Sequence, residues 1–193
     1  MMIIAWLFNR VILHLGVEMD FPQFTYHPHP LDTGAVISSD ATCECCGQAR
    51  GFICSSGMYC RDNVEAICPW CVADGSAADK FNGHFVDDYP LLDAGLDIAI
   101  VKEVAERTPG YVSWQQEVWQ SHCNDACEFH GDAELADLQA LQGEALEDFL
   151  AEYLPNHALW QKLLSSYQKG GNPAIYKFKC RHCQQAIFTL DCH

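Results

Sequence analysis

Twelve cysteines stand in a chain of 193 residues, and eight of them fall into four close pairs: Cys43/Cys46, Cys68/Cys71, Cys123/Cys127 and Cys180/Cys183. Thiols two or three residues apart converge on one tetrahedral ion, and two such pairs complete a four-coordinate zinc site. The first two pairs, separated by 21 residues, predict a four-thiolate centre made of Cys43, Cys46, Cys68 and Cys71. The last two predict a second centre of Cys123, Cys127, Cys180 and Cys183, with His122 and His130 as alternative ligands and His182 and Cys192 also within reach. Two zinc ions are therefore expected. A closed set of four ligands is structural, whereas three ligands and an open position would allow catalysis at the metal. Cys68-Pro-Trp-Cys71 taken alone also fits a thiol redox motif, but that chemistry needs a βαβ frame and no competing thiol pair. Cys45, Cys54 and Cys60 are left over and read as small buried hydrophobes.

The elements that must position these ligands can be read in order. Phe21 to Pro30 holds three prolines and is extended, because each proline fixes its own φ and biases the residue before it away from helix. His27 and His29 could both act as ligands on one side of it. Cys43-Glu-Cys-Cys46-Gly47 reads as a knuckle, a turn whose amides face the thiolates and whose glycine allows positive φ. A short strand follows over Gly51 to Ser55, then Cys68-Pro-Trp-Cys71 at the start of an alanine-rich helical segment reaching Phe81. Knuckle, hairpin and ligand-bearing helix is the order of a treble clef. Further on, Leu135, Leu138, Leu141, Leu146, Phe149, Leu150 and Tyr153 recur at helical steps, predicting one amphipathic helix over Asp132–Leu154 with Asp132 as N-cap. A second is predicted over Asn156–Tyr167, ending at Gly170-Gly-Asn-Pro173. Alternation of Tyr176, Phe178 and Cys180 with Lys177 and Lys179 predicts a strand, and the Cys180–Cys183 turn joins it to another over Gln184–Leu190.

The predicted fold class is thus α+β: a treble-clef-like zinc module plus a C-terminal zinc hairpin with a helical insert. Residues 19–90 form the N-terminal zinc-binding module. Residues 91–193 form an acidic helical region with the zinc hairpin, in one compact unit with 19–90. Residues 1–18 are apolar, but Arg10 and His14 interrupt them and no small-x-small cleavage site follows. They are also shorter than a membrane span requires. They read as a non-native extension or start-site artefact before Met19, and the chain is expected to be cytoplasmic with no membrane association.

Net charge is −15, concentrated in the middle: residues 82–170 carry four Lys/Arg against sixteen Asp/Glu. Such a surface repels a phosphate backbone, and the single short basic stretch is Lys177, Lys179, Arg181, so no nucleic-acid partner is expected. A basic protein partner is electrostatically favoured. No H-E-x-x-H, nucleophile elbow or phosphate loop is present, which removes the common signatures of metallohydrolases, serine hydrolases and nucleotide-binding enzymes.

The motifs Tyr26-His-Pro-His-Pro-Leu31, Cys43-Glu-Cys-Cys-Gly47, Cys68-Pro-Trp-Cys71, Ala73-Asp-Gly-Ser-Ala-Ala78, Arg107-Thr-Pro-Gly-Tyr111, Trp114-Gln-Gln-Glu117, His122-Cys123 and Cys180-Arg-His-Cys183 together resemble the bacterial CbrC family. The resemblance covers nearly everything after Met19. It implies a cytoplasmic bacterial protein linked to tolerance of DNase-type colicins, with no established enzymatic activity. The expected function is that of a zinc-stabilised, non-enzymatic interaction protein whose acidic surface binds a basic partner, either a toxin nuclease domain or a host factor. The alternative is a zinc- or thiol-dependent enzyme using the Cys123/Cys127/Cys180/Cys183 region.

Overall fold

Runs of short strands and runs of short helices succeed one another along the chain, and the metal-ligand residues lie in turns or at the ends of these elements. The computed structural model describes residues 10–11, 19–154 and 156–192. β1 (Arg10–Val11) pairs with β2 (Met19–Asp20). The rest of the stretch before Met19, and with it the start-site reading, lies outside the described residues.

β3 (Val36–Ser38) pairs antiparallel with β4 (Phe52–Cys54), Val36 opposite Cys54 and Ser38 opposite Phe52. The Cys43–Gly47 knuckle sits inside the connection between these two strands, so only β4 separates it from the first helix, and no further hairpin intervenes. The helical segment expected up to Phe81 is split at Asp74–Gly75 into α1 (Pro69–Ala73) and α2 (Ser76–Phe81). Pro69 occupies the first turn of α1, where its missing N–H has no intrahelical partner to lose. Phe21, Phe52, Val64, Ile67, Val72 and Phe85 close around this module as one hydrophobic cluster.

After α3 (Tyr89–Asp93), Asp97 caps α4 (Ile98–Arg107) by accepting the Ala99 N–H at 2.8 Å. Val101, Val104 and Ala105 share the buried face of α4, the i, i+3, i+4 pattern of an amphipathic helix. A tight hairpin of β5 (Ser121–His122) and β6 (Asp125–Ala126) leads into β7 (Glu128–Asp132). β7 joins β8 (Ala174–Lys179) and β9 (Ala186–Asp191) in an antiparallel sheet of order β7-β8-β9.

Side chains alternate across β8 and so divide the core. Ala174, Tyr176, Phe178 and Cys180 face a central cluster with Tyr111, Trp119 and Phe129, in which Tyr111 and Phe129 stack with centroids 4.1 Å apart. Ile175 faces the other way, into a cluster with Leu138, Phe149, Trp160 and Phe188. That second cluster belongs to the helical insert between β7 and β8: α5 (Leu135–Ala140), α6 (Glu144–Tyr153) and α7 (His157–Ser166). The expected helix over 132–154 is two helices broken at 141–143. Asp132 ends β7 and caps nothing; Glu134 is the N-cap, closing a reciprocal capping box with Asp137. Asn156 caps α7, its side chain accepting the Leu159 N–H at 3.0 Å. No helix among the described residues is long and apolar enough to cross a membrane.

Candidate metal centres

The first predicted centre comes together as a set. The Sγ atoms of Cys43, Cys46, Cys68 and Cys71 all lie within 4.8 Å of one another. Cys43 to Cys71 and Cys46 to Cys68 are each 3.9 Å. Tetrahedral zinc–thiolate bonds of about 2.3 Å require sulfurs about 3.8 Å apart, so the cage has the size of that ion. Backbone hydrogen bonds build it. The Cys43 N–H donates to Gln48 O and the Gly47 N–H to Cys43 O at 2.7 Å, with Gly47 at φ +70°, a turn few other residues adopt without strain. The Cys68 N–H points at Cys43 Sγ at 3.3 Å.

These contacts prepare the cage electrostatically for an ion. Burial raises the Cys43 thiol, but the backbone N–H groups of Cys68, Cys46 and Cys45 outweigh it and hold the pKa down to about 7. Cys68 is pushed up to about 11, by burial first and then by the neighbouring Cys43, and burial likewise raises Cys71. One ready thiolate beside thiols that resist crowded negative charge is the state a dication would convert to four thiolates. The Glu44 carboxylate accepts the Glu65 and Ala66 N–H groups at 2.8 and 2.9 Å, while Lys80 Nζ donates to the carbonyls of Glu44 and Cys45. The knuckle is thus clamped from both sides. Cys45, Cys54 and Cys60 fall outside the ligand set.

The second centre forms with one ligand changed. His122, Cys123, Cys180 and Cys183 bring their donor atoms within 4.8 Å of one another; His122 Nδ1 is 3.2 Å from Cys123 Sγ and 3.4 Å from Cys183 Sγ. Cys127, expected as the partner of Cys123, is not among them. Cys123 and Asn124 are both left-handed, at φ 53° and 56°, and His122 lies opposite Asp125, which makes a two-residue type I′ hairpin. The chain therefore reverses immediately after Cys123. Cys127 lies three residues past the tip, about 10 Å back along the strand, where its N–H bonds Gln120 O and its side chain is fully buried in the central cluster. There burial pushes its thiol up to about 12. The hairpin tip instead presents the adjacent pair His122-Cys123.

The Cys180–Cys183 turn repeats the first knuckle. The Cys180 N–H donates to Gln185 O and the Gln184 N–H to Cys180 O at 3.0 Å, with Gln184 at φ +66° in the place of Gly47. Burial raises Cys180, but the backbone N–H of Cys183 and contacts with His122 bring it down to about 6.

Asp125 joins the two halves of this centre. Its carboxylate accepts the Tyr26 hydroxyl at 2.8 Å, Arg181 Nη1 at 2.9 Å, His182 Nε2 at 2.9 Å and the Ala126 N–H at 2.8 Å. Burial opposes the charge on Asp125, but these donors outweigh it and hold the carboxyl below the usual carboxylate range. Hairpin tip and knuckle are thereby tied together behind the ligands, the kind of outer support that fixes ligand orientation. His182 thus serves the scaffold rather than the ligand set. His130 pairs with Glu128 at 3.2 Å, and Cys192 also lies outside both groups.

His27 is a core residue. It is fully buried, with Nδ1 2.8 Å from Pro109 O and Nε2 2.7 Å from Thr33 Oγ1. Burial lowers its pKa to about 4. In the neutral ring Nδ1 carries the proton, since a carbonyl only accepts, and Nε2 accepts from Thr33. His29 is exposed and sits 4.0 Å from Asp32.

The uncharacterised protein family UPF0167 matches residues 21–192, a span containing both centres. The chain belongs to the UPF0167 family. It is 50% identical over 172 residues to the UPF0167 protein PA1536 of Pseudomonas aeruginosa, covering 88% of this chain and 96% of that protein. It is 35% identical over 178 residues to UPF0167 protein Mb2317 of Mycobacterium bovis and to MT2352 of Mycobacterium tuberculosis, covering 88% of this chain and 92% of each. None of these relatives is named for an activity. No solved structure matches the chain.

Proposed function

We propose that this family member is a zinc-stabilised, non-enzymatic interaction protein of the cytoplasm, with two four-ligand zinc centres and an acidic face that binds a basic protein. The first centre holds a treble-clef-like module and the second holds the hairpin tip against the C-terminal sheet. The observation that carries the reading is the pair of four-donor groups, four protein donors being the number of a closed structural site. Beside the second cage, α6 turns Glu144, Glu147, Asp148 and Glu152 to solvent with no lysine or arginine on the same helix. A basic surface is the complement of that ridge. Resemblance to the CbrC family adds a specific partner, the nuclease domain of a DNase-type colicin.

Calorimetric titration of the zinc-loaded protein with such a basic nuclease domain tests this. Binding should be present at low salt, weaken steeply as salt rises, and vanish when the four α6 acids are changed to lysine. Absence of binding to any basic nuclease domain at low ionic strength removes this form of the proposal. The exposure of Cys123 and Cys183 favours a second reading, metal- or thiol-based catalysis at the second centre. A cobalt-substituted second centre with an exchangeable water ligand would support it over the first.

A further inference from the structure

A cavity of about 320 Å³ opens between the first zinc module and the central aromatic cluster, lined on one side by Ser56 and Tyr59 and on the other by Phe85, Tyr111 and Glu117. Its volume falls within the range of small-ligand pockets. Neither lysine, arginine nor histidine is among the residues that line it, and Glu117 is its sole carboxylate.

Glu117 is 6% exposed and its Oε2 accepts the Tyr59 hydroxyl at 2.7 Å. Burial raises the Glu117 pKa, opposed by the Tyr59 hydroxyl, and Asp87 close by raises it further. No cation compensates this acid within the cavity. Ser56 Oγ is buried and is the one such side-chain polar atom among the described residues without a hydrogen-bond partner. Buried polar atoms left unpaired are uncommon and point to a missing partner.

The cavity is also preformed. At Gly110, beside the lining residue Tyr111, an added Cβ would lie 2.4 Å from Phe85 O and 3.3 Å from Ser56 Oγ, so the backbone next to the wall is closely packed. The preceding Pro109 carbonyl is held by buried His27, and Tyr111 is stacked on Phe129. These contacts belong to the core.

We propose that this cavity is a binding site for a small organic cation bearing a primary ammonium or guanidinium group, with Glu117 as counter-ion, Tyr59 as the aromatic wall and Ser56 as a hydrogen-bond acceptor. A carboxyl with no cation beside it, an aromatic surface and an acceptor without a donor are together the complement of such a group. The site does not depend on the partner-binding reading, since none of its lining residues lies on α6.

Calorimetric titration of the zinc-loaded full chain with agmatine and with n-butylamine tests it, using n-butanol as the neutral control. Both amines should bind saturably at one per chain and butanol should not. Glu117→Gln should weaken both by about tenfold or more, and Ser56→Ala by a smaller factor, while substitution of the α6 acids should leave them unchanged. Zinc content and melting temperature establish that each variant is folded. Should Glu117→Gln not fold, Ser56→Ala and Tyr59→Ala, which removes the aromatic wall, carry the test, each weakening both amines. A capped arginine that binds as well as agmatine would identify a protein side chain as an acceptable source of the cation, whereas binding of free agmatine alone would identify a metabolite. Failure of both amines to saturate, or equal affinity in the folded site variants, overturns the proposal.

Discussion

The two metal centres use the same knuckle but differ in depth. In the first, Cys43, Cys68 and Cys71 are buried inside the cluster that Phe21, Phe52, Val64, Ile67, Val72 and Phe85 form around them. In the second, Cys123 and Cys183 are exposed, and the sheet behind them has its own aromatic core in Tyr111, Trp119, Phe129 and Phe178. One centre is therefore built into a hydrophobic core, and the other is fastened to the edge of one. Their loss should have unequal consequences.

The largest expected effect is at the first centre. Cys68→Ser should lose one zinc and unfold the N-terminal module, because binding of a structural zinc is worth roughly 10–16 kcal/mol and much of that is folding energy. Circular dichroism with elemental analysis would measure it. Cys183→Ser should also lose one zinc, yet keep a cooperative melt and near-native helix content. A chelator should accordingly remove the exposed ion first, followed as two kinetic phases. If Cys183→Ser unfolds as completely as Cys68→Ser, the contrast between the centres fails.

Asp125 sharpens the comparison, because the first centre has no equivalent buried carboxylate tying its two ligand turns. Asp125→Ala leaves the Tyr26 hydroxyl without its acceptor and Arg181 with Glu128 alone and should cost about 2–3 kcal/mol, with zinc affinity at the second centre lowered roughly 10- to 100-fold. The first centre should be unaffected. Chelator competition on each site separately would show it.

His27 provides a pH signature outside both ligand sets. Its folded pKa, about 4, is below the ordinary value near 6.5, so its contribution to stability is complete above about pH 6.5 and is lost as pH falls toward 4. A loss on the order of 2–3 kcal/mol is expected across that window. Denaturant unfolding of the native chain and His27→Gln should show the slope reduced in the variant by that amount. Equal slopes would place a charged imidazole at residue 27.

The smallest effect concerns the knuckles themselves. Gln184 holds the left-handed position that Gly47 holds in the first. Gln184→Gly should stabilise the protein by a few tenths to about 1 kcal/mol, offset by its side-chain bonds to the carbonyls of Cys180 and Arg181. Gly47→Ala should destabilise by a similar amount. Thermal melts resolve both.

The first centre was legible from spacing alone because both its pairs lie on single turns, where two intervening residues dictate geometry. The second was legible on its Cys180–Cys183 side and misread on the other. The signal was there in Asn124, a residue that favours the left-handed conformation and marks a hairpin tip, so the ligands are adjacent rather than four apart. β7 is not legible in the sequence because Glu128-Phe-His-Gly-Asp132 has weak strand propensity and is held in the sheet by β8. The break at 141–143 was hidden by leucines that keep helical spacing across it. Asp125 and His27 could not be identified by type, since their partners Tyr26, Arg181, His182, Pro109 and Thr33 meet them through tertiary contacts.

The most direct test of the account is zinc per chain in the native protein and in the Cys127→Ser and His122→Ala variants, measured by elemental analysis together with X-ray absorption at the zinc edge. Two zinc ions are predicted, with seven sulfurs and one nitrogen in total over the two sites, unchanged in count by Cys127→Ser and altered in ligand set or occupancy by His122→Ala. Loss of one zinc in Cys127→Ser, with His122→Ala indistinguishable from the native protein, would contradict it.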